Sequence, residues 1–136
     1  MDGEGIPVGL AVDGANRNDM KLVRETIKSM PIERPTPTED EPQGMCMDKG
    51  YDFDEVRQIV EEFGFTAHIC KRGVDAKLVK KTSRQKARRW VVERTHSWMN
   101  RFRGILIRWN KKPENYIAML HLPFAFITYR AAGLFG

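Results

Sequence analysis

The sequence predicts an α/β domain in which short parallel strands are joined by crossover helices. Two observations predict it. Apolar runs of strand length alternate with amphipathic helical segments, in the order strand, helix, strand, helix, strand. The composition, 136 residues with 41% hydrophobic and 30% charged, suits one soluble globular domain or a large piece of one. At that length a chain buries roughly 65 to 70% of its unfolded surface, so it needs no disulfide framework.

The opening Met1-Asp2-Gly3-Glu4-Gly5-Ile6-Pro7 reads as a turn, and residues 8–12 form an apolar run of strand length. Asn18 or Asp19 then caps a helix marked by Met20, Val23, Ile27 and Met30, which Pro31 stops. Residues 31–43, with four prolines and the acids Glu39, Asp40 and Glu41, are a surface loop. Met45-Cys46-Met47 is a second strand, ending at Asp48. Asp52, with Glu55 three residues on, predicts a capping box for a helix that closes at Gly64. Residues 65–70 are a third strand.

Residues 71–81 read as a basic loop, and from about Ser83 to Arg103 the apolar period becomes helical. Val91, Thr95, Trp98, Phe102 and Ile105 fall on one buried stripe. Glu93 lies two residues from Val91, about 200° around the helix, and so faces away from that stripe among Arg89, His96, Ser97, Asn100 and Arg101. A last helix begins near Pro113 and runs through Tyr116, Ile117, Leu120 and Phe124, to pack under the sheet or in a dimer contact. His121, Pro123 and Arg130 interrupt its apolar run, which therefore falls short of a membrane span. His68 and His121 sit in apolar segments and are expected as core histidines. Trp90, Trp98 and Trp109 are expected to pack, although Trp90 could also stack on an unpaired base. Cys46 and Cys70, without C-x-x-C spacing and with no leader sequence, read as buried free thiols in a reducing cytoplasm.

The net charge of +5 conceals two halves of opposite sign. Residues 1–70 hold 7 basic and 15 acidic side chains, a net of −8, whereas residues 71–136 hold 16 and 3, a net of +13. Fifteen of those 16 cations lie within 71–112, opposed there only by Asp75 and Glu93. Such a tract attracts a polyanion, because each neutralised phosphate releases a condensed counterion. Asp48, at the carboxyl end of a strand, stands where chemistry collects in open α/β sheets. A carboxylate there and one on a nearby helix could share hard divalent cations, and two such ions serve phosphodiester displacement. The plainer readings are a turn for Asp48 and an i,i+4 ion pair with Arg89 for Glu93.

Asp48-Lys49-Gly50-Tyr51-Asp52, followed by Arg89-Trp90-Val91-Val92-Glu93-Arg94-Thr95-His96-Ser97-Trp98-Met99-Asn100-Arg101-Phe102-Arg103, resembles the C-terminal half of bacterial insertion-sequence transposases of the DDE type. Gly14-Ala15-Asn16-Arg17-Asn18-Asp19, with the opening turn, is similar to the segment between their first and second catalytic aspartates. The resemblance implies a ribonuclease-H-like fold in which two Asp and one Glu hold two Mg²⁺ or Mn²⁺ ions and carry out DNA cleavage and strand transfer. Carried over, Asp48 is the second Asp and Glu93 the Glu, both catalytic and metal-binding. Arg89 matches the Arg of an R-x-x-x-E spacing. Arg72, Lys80, Lys81, Lys86, Arg88, Arg89, Arg94, Arg101 and Arg103 are the expected DNA contacts. Two positions depart from the family: Lys86 stands where a Tyr is common, and Asn100 where a Lys is common, with Arg101 beside it.

The first catalytic Asp is expected on a strand upstream of Asp2, so the fold is expected to be partial. Asp13 follows the run 8–12 inside a segment that resembles the hairpin after that residue, and is not taken for it. Residues 1–104 then form a partial catalytic domain and residues 105–136 a C-terminal helical segment. The resemblance implies a chain inactive by itself and active as the second part of a transposase, as a homo-oligomer on transposon ends and target DNA, with no membrane. A DNA-binding or regulatory fragment without chemistry, a decayed gene copy, and a nuclease that cuts without joining remain alternatives.

Overall fold

The computed structural model describes residues 1–71 and 89–133, and all but the side chain of Arg89 within them. The chain divides into two compact units, one of Asp13–Lys86 and one of Met1–Val12 with Ala87–Gly136.

The first unit is α/β, as the alternation predicts. Asn18 caps a 3₁₀ turn, Asp19–Leu22, its side chain accepting a hydrogen bond from the Met20 N–H at 3.1 Å. The turn leads into α1 (Val23–Lys28). Residues 31–43 then cross the surface as the Pro-rich loop. They are tethered by Arg34, which donates to the Gln43 side chain at 2.8 Å and the Phe63 carbonyl at 2.6 Å and lies 3.8 Å over the Phe65 ring. Strand β1 (Gly44–Met47), helix α2 (Asp54–Glu62) and strand β2 (Thr66–Ile69) complete the unit.

β1 and β2 pair in parallel, Gly44 with Thr66 through to Met47 with Ile69, and α2 makes the crossover such pairing demands. The core is Val23 and Ile27 from α1, Val56 and Val60 from α2 and Ile69 from β2. Each such side chain contributes about 1.5–3 kcal/mol by leaving water. Gly64 ends α2 at φ 76°, a left-handed position that favours glycine.

Several expectations are corrected here. The N-cap of α2 is Phe53, and Asp52 instead accepts a hydrogen bond from Arg57 at 2.6 Å, so the expected capping box gives way to an ion pair. Cys46 and Cys70 are free, as expected, but exposed, Cys46 on the more open face of β1 and Cys70 just beyond β2. His68 on β2 is half-buried.

The second unit is helical among its described residues: α3 (Arg89–Met99), α4 (Arg103–Leu106) and α5 (Pro113–Ala131), with α5 packed on both others. Residues 8–12 form no strand; a lone extended run has no ladder to join and stays irregular. The expected stripe on α3 holds, with Val91 and Thr95 buried and Trp98, Phe102 and Ile105 half-buried. The helix breaks at Met99 and resumes at Arg103, short of the continuous run expected. Leu120, Pro123 and Ile127 are the buried face of α5, and Phe126 meets Phe102 edge to face at 5.9 Å. A Cβ on Gly104 of α4 would stand 2.7 Å from the terminal methyl of Met119 on α5, a flexible side-chain end that can move aside. Trp90 and Trp109 are 51% and 76% exposed, and His121 is exposed, so none of the three is a core residue. Among the described residues no helix is long and apolar enough to cross a membrane.

Candidate active site

Asp48 occupies the first position beyond β1. It caps the 3₁₀ turn Lys49–Tyr51, with Oδ1 accepting the Gly50 N–H at 2.6 Å. The turn reading of this residue therefore holds, and it leaves the carboxylate exposed at the carboxyl end of the sheet. Because β1 and β2 run in parallel with Met47 opposite Ile69, Cys70 and Lys71 leave the sheet at this same end.

Asp48 also lines a shallow cleft of about 160 Å³ with Asn18, Asp19, Met20, Gly50 and Tyr51. The capped turn before α1 and the capped turn after β1 bring these groups together. Burial pushes the Tyr51 hydroxyl above its ordinary pKa, and the charges of Asp19 and Asp48 push it further the same way. The cleft is thus a locus of negative potential with two carboxylates on its rim. Asp19 and Tyr51 were not among the site residues expected from sequence. The signal was present in the quoted motifs, where Asp19 and Tyr51 each end or follow a Gly-containing segment, but only the fold shows that the two segments meet.

Glu93 lies in the other unit, exposed on α3 and turned away from Val91 and Thr95, as the helical spacing predicts. His96, Ser97, Asn100 and Arg101 are exposed too, as is Arg103. Arg94, expected among the DNA contacts, is engaged within the protein. Its guanidinium lies 4.9 Å from the Trp90 ring and 4.8 Å from the Trp98 ring and donates to the Glu4 carbonyl. Arg72, Lys80, Lys81, Lys86 and Arg88, with the basic loop after Lys71 and the start of the expected helix at Ser83, lie outside the described residues, as does the side chain of Arg89.

The Asp48 and Glu93 carboxylates are each exposed, and as hard oxygens they are of a kind that fits Mg²⁺ or Mn²⁺. Among the described residues no three His, Cys, Asp or Glu gather closely enough to hold a metal ion.

Residues 45–130 match the family model for a Transposase DDE domain, a span that takes in both Asp48 and Glu93. The chain belongs to the DDE transposase family. Over 130 residues, 94% of its length, it is also 30% identical to a protein of Burkholderia cepacia described as a transposase for insertion sequence element IS402. It spans 59% of that relative's length. No solved structure matches it. A DDE domain of this family generally implies the use of divalent metal ions.

Proposed function

We propose that this chain is the C-terminal part of a transposase that cleaves and joins DNA at the ends of an insertion sequence once an upstream part completes it, and that it is inactive alone. The observation that carries the reading is the Transposase DDE domain match over residues 45–130, with Asp48 at a strand end and Glu93 on an exposed helix face inside it. On this reading the full domain has a ribonuclease-H-like fold, of which residues 1–104 are a part and residues 105–136 a helical extension.

Asp48 and Glu93 supply two of the carboxylates for a pair of Mg²⁺ or Mn²⁺ ions, and the upstream part supplies the remaining one. Such ions, when bound, stabilise the attacking and leaving oxygens of a phosphodiester displacement. The chain's own contribution is to hold those carboxylates and to seat the DNA backbone. The cations of 71–112 do the seating, Arg101 and Arg103 among them, with transposon ends and target as substrates and a homo-oligomer as the active form.

The test is cleavage and strand transfer by the completed protein. Asp48→Ala and Glu93→Ala each abolish both reactions and leave end binding in place. Transposition that survives Asp48→Ala overturns the reading. The charge of +13 on residues 71–136 favours one second reading, a DNA-binding fragment that performs no chemistry. Its signature is salt-sensitive binding by the chain alone, with transposition reduced when the chain is supplied beside an intact transposase.

A further inference from the structure

We infer that the N-terminal turn of residues 1–6 splints helix α3, and that Gly5, Arg94 and Thr95 are positioning residues for Glu93. The inference rests on the reading of Glu93 as a metal-binding carboxylate. Thr95 is a polar side chain in a place where few are found, 2% exposed on the buried stripe of α3. Its hydroxyl donates to the Gly5 carbonyl at 2.6 Å, with the Val91 carbonyl also within reach at 3.1 Å.

The preceding residue grips the preceding carbonyl. Arg94 donates to the Glu4 carbonyl, and its guanidinium also lies 3.6 Å from the Glu4 carboxylate. Trp90 and Trp98, one turn to either side of Arg94, flank that guanidinium and hold it in one place. Two consecutive side chains of the helix therefore hold two consecutive carbonyls of the turn. Added to the buried packing of Val91, the two bonds fix the roll and the register of the helix against the turn.

The turn is built to receive them. The Asp2 carboxylate accepts from the Glu4 and Ile6 N–H groups, each at 2.9 Å, and the Asp2 N–H donates to the Ile6 carbonyl at 2.9 Å. Gly5 has φ 81°, and a Cβ on it would stand 3.1 Å from the Thr95 hydroxyl and 3.3 Å from the Val91 carbonyl. Glycine is needed there both for backbone conformation and for close approach. Glu93 is about 100° from Arg94 and about 200° from Thr95 around the helix, so the Thr95 bond is made on the side away from the carboxylate. Because misplacing a reacting group by about 1 Å can lower a rate on the order of a hundredfold, the roll of α3 is a catalytic variable.

The experiment compares Thr95→Val, Thr95→Ser and Gly5→Ala in two settings. In the completed transposase, Thr95→Val and Gly5→Ala lower the cleavage rate at saturating DNA by about tenfold or more. Affinity for the DNA end changes less than about twofold, and Thr95→Ser restores the rate. In the full chain with Cys46→Ser and Cys70→Ser, a nitroxide on Glu93→Cys reports helix orientation directly; its spectrum changes with Thr95→Val and returns with Thr95→Ser. Gly5→Ala leaves the hydroxyl in place, so it keeps the test valid if Thr95→Val does not fold. An unchanged rate and an unchanged nitroxide spectrum in both variants overturn the inference. A completed enzyme that stays active with Glu93→Gln overturns instead the metal-site reading, while the nitroxide still decides whether the turn orients α3.

Discussion

Arg24 and Glu62 join α1 to α2 through two parallel hydrogen bonds, of 2.7 and 2.6 Å, between one guanidinium and one carboxylate. The hydrogen bonds hold the Glu62 carboxyl below its ordinary pKa of 4.5, with a smaller contribution from the charge of Arg24. Glu62 is exposed, so the pair contributes modestly. Its sign is definite: a depressed carboxyl stabilises the fold above its unfolded value and loses that contribution as pH falls through the folded value. Unfolding midpoints measured between pH 6 and pH 3 should fall more steeply for the natural chain than for Glu62→Gln. Parallel curves would show that the pair contributes nothing.

Val60 has no exposed surface and Val56 only 1%, at the centre of the α/β unit. Val60→Ala removes two buried methyl groups and leaves a void, a loss of about 2 kcal/mol. Val92→Ala, on the exposed face of α3, should change stability by less than about 0.5 kcal/mol. Urea denaturation followed by far-ultraviolet circular dichroism distinguishes the two, and equal effects would contradict the packing described.

Arg34→Lys should act as a disruptive substitution. The planar guanidinium bonds Gln43 and the Phe63 carbonyl at once while stacking on Phe65, and an ammonium cannot reproduce that arrangement. A loss of about 1–3 kcal/mol follows, with the loop 31–43 becoming a site of rapid proteolysis. Unchanged cleavage kinetics in that loop would rule the tether out.

Arg101 and Arg103 are exposed, whereas Arg94 is held between two indoles. If the first two meet phosphate, replacing both with Ala should reduce the slope of log affinity against log salt by about 1.8 on duplex DNA. Arg94→Ala should lower thermal stability and leave that slope nearly unchanged. A slope lost with Arg94 would restore it to the DNA-facing group.

The elements with strong local signals were legible in the residues themselves. Asn18 as a cap, the Pro-rich loop, β1 ending at Asp48, β2 and the buried stripe of α3 all follow from period and punctuation. The run 8–12 was misread because an apolar run declares strand propensity but not a pairing partner. Asp52 was misread as a cap because nothing local announces that Arg57 claims its carboxylate. The exposure of Glu93 followed from helix geometry alone. The neighbourhood of Asp48 with Asp19 and Tyr51, and the grip of Arg94 and Thr95 on residues 4 and 5, join segments distant in the chain, which no window of sequence displays.

Cys70 follows Ile69, the register partner of Met47, so it leaves the sheet at the same end as Asp48, and it is exposed. The protein thus carries a natural reporter at the end of the sheet where its candidate catalytic carboxylate stands. A fluorophore or fluorine tag on that sulfur, with Cys46→Ser to make the labelling unique, would register the arrival of an ion or a DNA end without any group being engineered into the cleft.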